Sequence, residues 1–158
     1  MIVSAMFRLL SVAACCLSIT ATSLPAQVTG DVDVIQNLLE TYGLKTKRGT
    51  DPAGDVMLTS RIEGISFDVY FYGCGKNAPC DSVQFSAGFD LPNGLSAEQL
   101  NNWNRDRRYG KLYTDDHGDP YLEYDINLDG DGVGPKNFDS SLEIWHSLIT
   151  DFRNYIGW

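Results

Sequence analysis

Two cysteines six positions apart, Cys74 and Cys80, are the residues with the most reactive side chains in the body of this 158-residue chain. Thiols at that distance can form a disulfide, hold a metal or exchange electrons. A thioredoxin-type redox pair has two residues between its cysteines. Here there are five, which favours a structural disulfide. A second candidate is Asp125-Ile-Asn-Leu-Asp-Gly-Asp131. Asp125, Asn127 and Asp129 fall at positions 1, 3 and 5 of a calcium loop, and glycine follows at position 6. Position 12, which should carry a bidentate glutamate, is Lys136. The residues before Asp125 also read as a strand and not as an entering helix. The EF-hand pattern therefore fails, and an irregular calcium site built from Asp125, Asn127, Asp129 and Asp131 is the alternative to a plain acidic turn.

The remaining polar clusters have simpler readings. Asp115-Asp-His-Gly-Asp-Pro120 could supply metal ligands through Asp115, Asp116, His117 and Asp119, but it is also strong turn sequence. His146 sits at the edge of an apolar helical stripe. Arg105, Arg107 and Arg108 make the most basic spot in the chain. They could receive an acidic partner, or complement the negative end of a helix. No Gly-x-Ser-x-Gly elbow, phosphate-binding glycine loop or His-Glu-x-x-His pair occurs. A non-enzyme is expected, with no cofactor apart from calcium at 125–131. A hydrolase using two close carboxylates is the rival that sequence alone leaves open.

Charge and the N-terminus set the compartment. Formal net charge is −9, which disfavours nucleic acid and anionic membrane surfaces as partners. The first 26 residues hold one charge, Arg8, then an apolar run and a small-residue stretch ending at Ala26. That is the pattern of a secretory signal peptide, expected to be cleaved after Ala26. Its apolar run is shorter than the roughly 20 residues of a membrane span. Val12-Ala-Ala-Cys15 also resembles a lipid-attachment motif, so lipidation at Cys15 is the alternative. A periplasmic or secreted protein results, with no membrane attachment after the signal is removed. Loss of Cys15 and Cys16 would leave Cys74 and Cys80 as the only pair, in an oxidising compartment. Residues 27–158 are expected to form one domain with net charge −10, since only Arg8 is lost.

The elements that must position these groups follow from periodicity. Val32, Ile35, Leu38, Leu39 and Tyr42 predict a helix over 31–42. A short exposed strand is predicted over 44–48 and further strands over 56–62 and 65–72, the last two joined at Glu63-Gly64. Phe67, Val69 and Phe71 share one face of the third strand; Asp68, Tyr70 and Tyr72 share the other. Residues 82–89 alternate again, so a hairpin with the cysteines at its tip is predicted. Ser96 with Gln99 forms a capping box opening a second helix, which Gly110 should end. Strands at 111–114 and 121–128 follow. Pro135 then starts a long helix whose stripe of Phe138, Leu142, Trp145, Leu148, Ile149 and Phe152 runs to the C-terminus. The order α, several β, α, β, β, α predicts an α+β sandwich, an antiparallel sheet with helices packed against it.

Four stretches carry a family resemblance: Phe67-Asp-Val-Tyr-Phe-Tyr-Gly-Cys74, Val83-Gln-Phe-Ser-Ala-Gly-Phe-Asp-Leu-Pro92, Trp103-Asn-Arg105 with Tyr109-Gly-Lys111, and Phe152-Arg-Asn-Tyr-Ile-Gly-Trp158. Together they resemble the YbjN-domain family, described as bacterial sensory transduction regulators, over about residues 28–158. The resemblance implies a fold like that of type III secretion chaperones. It also implies a polypeptide-binding, regulatory or chaperone-like role and a tendency to form homodimers. It supplies no catalytic residues. Classical secretion chaperones are cytoplasmic, whereas this chain carries an export pattern. The partner-binding residues expected from the sequence are Tyr70, Tyr72, Arg105, Arg107 and Arg108.

Overall fold

The computed structural model describes residues 27–76 and 78–158. The expected signal peptide and Cys15 lie outside the described residues. Helix α1 (Val32–Thr41) is followed by β1 (Lys47–Thr50), β2 (Val56–Ile62), β3 (Ile65–Tyr72) and β4 (Ser82–Gly88). Then come α2 (Ala97–Asp106), β5 (Lys111–Thr114), β6 (Pro120–Asn127) and α3 (Pro135–Ile156). The six strands form one open antiparallel sheet in the order β1-β2-β3-β4-β6-β5.

Local chemistry explains where the elements begin. The Asp31 carboxylate accepts from the Asp33 and Val34 amides and caps α1. Ser96 and Gln99 form the expected capping box of α2. Pro135 occupies the first turn of α3, where its missing amide costs nothing.

Two boundaries differ from the sequence reading. The first strand runs over 47–50 and not 44–48. The Leu44 amide donates back to Leu39 O, and Ser60 Oγ donates to Lys45 O, so 44–46 is a link held by side-chain and helix-end bonds. Helix α2 stops at Asp106, well before Gly110. Asn104 docks on β5 instead, donating to Leu112 O and accepting from Leu112 N, both at 2.9 Å. That pair of bonds turns the chain straight into the edge strand.

The pleat divides the sheet into two faces. Leu58, Ile62, Phe67, Val69, Val83, Phe85, Leu122 and Ile126 point inward and are buried. The three helices cover this face. Trp145 of α3 meets Phe67 and Phe85 at centroid distances of 5.6 and 5.7 Å. Phe152 contacts Trp103 of α2 at 5.2 Å and Phe89 at 4.8 Å. Ile35 and Leu39 bury the inner side of α1 in the same core. None of the described helices lies on the opposite face of the sheet.

Candidate interaction face

That opposite face carries Tyr70 and Tyr72 from β3, Gln84 from β4, Tyr121, Glu123 and Asp125 from β6, and Lys111 and Tyr113 from β5. The register sets them side by side. Tyr70 pairs with Gln84 and Gln84 with Asp125, while Glu123 pairs with Lys111 and Tyr121 with Tyr113. Cross-strand neighbours on one face interact directly, and here they do so in a chain. Tyr72 OH donates to Gln84 Oε1 at 3.2 Å. Gln84 Nε2 donates to Asp125 Oδ1 at 2.9 Å and to Glu123 Oε2 at 3.3 Å. Tyr113 OH donates to Glu123 Oε1 at 2.8 Å, and Lys111 Nζ lies 2.7 Å from Glu123 Oε2.

Glu123 is the centre of the network. It is only 7 % exposed, on a face that no described helix covers. Its neighbours bury it, and they also satisfy it with three donors, as a buried carboxylate requires. Around it the aromatic rings stay accessible: Tyr72 is 48 % exposed and Tyr113 is 37 % exposed. Tyr113 stacks on Tyr121 at 5.6 Å. Tyr121 in turn lies against Gly88 across the strand. A Cβ at position 88 would sit 2.8 Å from the Tyr121 ring, so glycine is what lets the ring lie flat there. The result is a surface of tyrosine rings with hydrogen-bonded polar groups between them.

The electrostatics hold the hydroxyls protonated. Partial burial, then the hydrogen bond to Glu123, pushes Tyr113 well above the ordinary tyrosine value. Partial burial and nearby carboxylates raise Tyr70 and Tyr72 as well. The hydrogen bond to Glu123 raises Lys111. A group with a raised folded-state pKa contributes stability that is complete below its unfolded value and fades as pH climbs through the folded value. The reference values are 10.0 for tyrosine and 10.5 for lysine. Stability should therefore hold up to about pH 10 and fall above it. In urea titrations at pH 9 and pH 11, Glu123→Gln should show a smaller alkaline loss than the wild type. An equal loss in both would show that the network is not its source.

The arginines lie elsewhere. Arg105 forms a two-pronged pair with its neighbour Asp106, at 2.8 and 3.1 Å, on the exposed end of α2. Arg107 lies over the Trp103 ring at 4.8 Å and 3.4 Å from Asp151 of α3. Arg108 lies over Tyr109 at 5.4 Å. All three are on the helical side, so the structure does not join them to Tyr70 and Tyr72 in one surface.

The acidic loop is spread out. Asp125 is on the outer face of β6, bound to Gln84. Asn127 Oδ1 accepts from Asp129 N, and Asp129 Oδ1 from Gly130 N. Asp131 is exposed in the turn that follows. Among the described residues no three His, Cys, Asp or Glu side chains gather as a metal-holding group. Asp115 serves the turn, accepting from the His117 and Asp119 amides, and Asp119 accepts from Leu91 N. His146 stands 3.4 Å from Glu63 in the β2–β3 turn.

The disulfide Cys74–Cys80 closes the tip of the β3–β4 hairpin. Beside it, Cys80 N donates to Gly30 O at 3.1 Å, and Val28 pairs with Val133. The tip is therefore tied to the segment entering α1. Gly30 admits no side chain, because a Cβ there would collide with the Cys80 carbonyl.

Sequence reasoning placed Tyr70 and Tyr72 on this outer face but missed Gln84, Lys111, Tyr113, Tyr121 and Glu123. The alternation of 121–127 puts Tyr121, Glu123 and Asp125 on one side. What it lacks is the insertion of β6 between β4 and β5, which brings those residues to Gln84 and Lys111.

A family model described as "YbjN: Putative bacterial sensory transduction regulator" matches residues 31–158. No curated protein matches the chain. The chain belongs to the YbjN family.

Proposed function

We propose that this YbjN-family chain is an exported, non-catalytic regulatory module that binds another polypeptide on the helix-free face of its sheet. The observation that carries the reading is the outer-face network. Exposed tyrosines surround a buried Glu123 whose donors are all supplied by the protein. Aromatic surfaces with hydrogen-bonded polar groups between the rings suit protein contacts, because tyrosine contributes large contact area at little conformational cost. The regulatory part of the reading rests on the family's description. The export part rests on the apolar leader with its single charge and on the Cys74–Cys80 bond, which persists in oxidising compartments.

A photo-crosslinking residue at Tyr70 or Tyr72, expressed in the parent cell and followed by mass spectrometry, is expected to capture a distinct polypeptide. The same residue at Arg105 on the helical side should not capture it. No capture above background from Tyr70 and Tyr72 would overturn the reading. Capture only of a second copy of this chain would replace it with a homodimer interface.

A further inference from the structure

We propose that the notch between the α1–β1 link and β2 binds a small solute carrying a carboxylate or phosphate oxyanion. Strand β1 ends its pairing at Lys47, opposite Thr59, so residues Ser60–Ile62 of β2 run on beyond it. The chain leaving α1 bridges this open stretch, held by Ser60 Oγ donating to Lys45 O at 3.0 Å. Between them is a cavity of about 580 Å³, within the range of small-molecule sites. Lys45, Lys47 and Arg61 line it, with Thr59, Ser60 and Ser66. Lys47 pairs with Thr59, and Arg61 with Ser66, so these four side chains project on one side of the sheet.

The charge pattern there is the reverse of the chain's. Net charge is −9, yet no carboxylate is among the residues lining this cavity; the nearest named one, Asp68, stands behind Thr59 and accepts from its Oγ1 at 2.6 Å. Four other surface cavities among the described residues each include one or more: Glu143 and Asp151 in two, Asp31 and Asp33 in another, Asp81 and Asp129 in a fourth. Among the described residues, Lys45, Lys47 and Arg61 lie within ion-pair distance of no carboxylate, as do Arg108, Lys136 and Arg153; what sets the first three apart is that they line one cavity. Arg61 Nη1 donates to Gly64 O at 3.1 Å, which steadies the guanidinium and leaves its other N–H groups for a ligand. Lysine on an edge strand discourages sheet-to-sheet pairing, and that explains Lys47. It does not explain why Lys45 and Arg61 converge on the same cavity. Two ammonium groups and a guanidinium at one concave spot match an oxyanion with several oxygens.

Lys47 and Arg61 share the outer face of the sheet with Tyr70 and Tyr72 but lie at its β1–β2 edge; the test reads binding of a small anion, so its outcome does not depend on capture of a polypeptide. The purified chain is titrated at constant ionic strength with inorganic phosphate and, in a second arm, with citrate, following thermal shift and calorimetric heat. Saturable binding tighter than about 1 mM in either arm is expected, and the arm that saturates identifies phosphate or carboxylate as the ligand chemistry. The double variant Lys47→Gln/Arg61→Gln should weaken binding at least about tenfold, with its circular dichroism unchanged; Lys45→Gln alone serves if the double variant is misfolded. Lys136→Gln, a cation outside the cavity, should bind like the wild type. No saturation in either arm, or equal affinity in the cavity variants, overturns the proposal.

Discussion

Trp145→Ala lowers the unfolding free energy by about 4 kcal/mol, read as a fall in the urea midpoint. Trp145 is completely buried, and its indole fills the space between the inner face of the sheet and α3. It touches Phe67 on β3 and Phe85 on β4, which themselves lie 6.1 Å apart. Truncation leaves a cavity that the two remaining rings, Phe67 and Phe85, and the sheet that holds them cannot collapse to fill. Domains of this size have roughly 5–15 kcal/mol to lose, so the variant should be poorly populated in cells. Trp145→Phe should cost much less, about 1–2 kcal/mol. It keeps most of the ring contacts, and it deletes an indole N–H that is buried without a hydrogen-bond partner, a group that costs free energy to hide. Equal losses for the two variants would show that ring packing is not the source. The effect reaches the interaction face as well, because the strands that carry Phe67 and Phe85 inward carry Tyr70, Tyr72 and Gln84 outward.

What the sequence made legible, and what it did not, divides along contact range. The period-2 alternation of 65–72 and 82–88 and the 3.6-residue stripe of α3 are one-dimensional signals, and the folded chain keeps both. The Ser96–Gln99 box and Gly134-Pro135 are equally local, and they start α2 and α3 where expected. The outer-face network is different in kind. Glu123 lies 39 residues from Gln84 in the chain, and they meet only because β6 enters between β4 and β5. No residue near Glu123 announces that partner. The cationic notch is non-local too: Lys47 and Arg61 share a cavity through the offset by which β2 outruns β1. The early end of α2 was hidden for the same reason. Asn104 reads as an ordinary helical residue until Leu112 is placed beside it.

Cys74→Ser is expected to lower stability by about 2 kcal/mol, the loop-closure value for so short a ring, while the fold persists. The core explains the persistence: the pairs Phe67–Trp145 and Phe85–Trp145 lie away from the hairpin tip, and Tyr72 still receives a hydrogen bond from Asp81 N. The bond's position adds a second consequence. Cys80 N donates to Gly30 O, and Leu128 N donates to Asp81 O, so the tip joins the α1 entry to the end of β6. Loosening the tip should raise amide hydrogen exchange at Cys80 and at Val28, while the amides of Val69 and Phe85 stay protected. Reductant should produce the same loss in the wild type and none in Cys74→Ser, which separates the bond itself from the side-chain change. A Cys74→Ser chain that fails to fold would mean that the clamp organises the whole sheet edge. A chain as stable as the wild type would mean that the Gly30–Cys80 bridge holds the tip unaided.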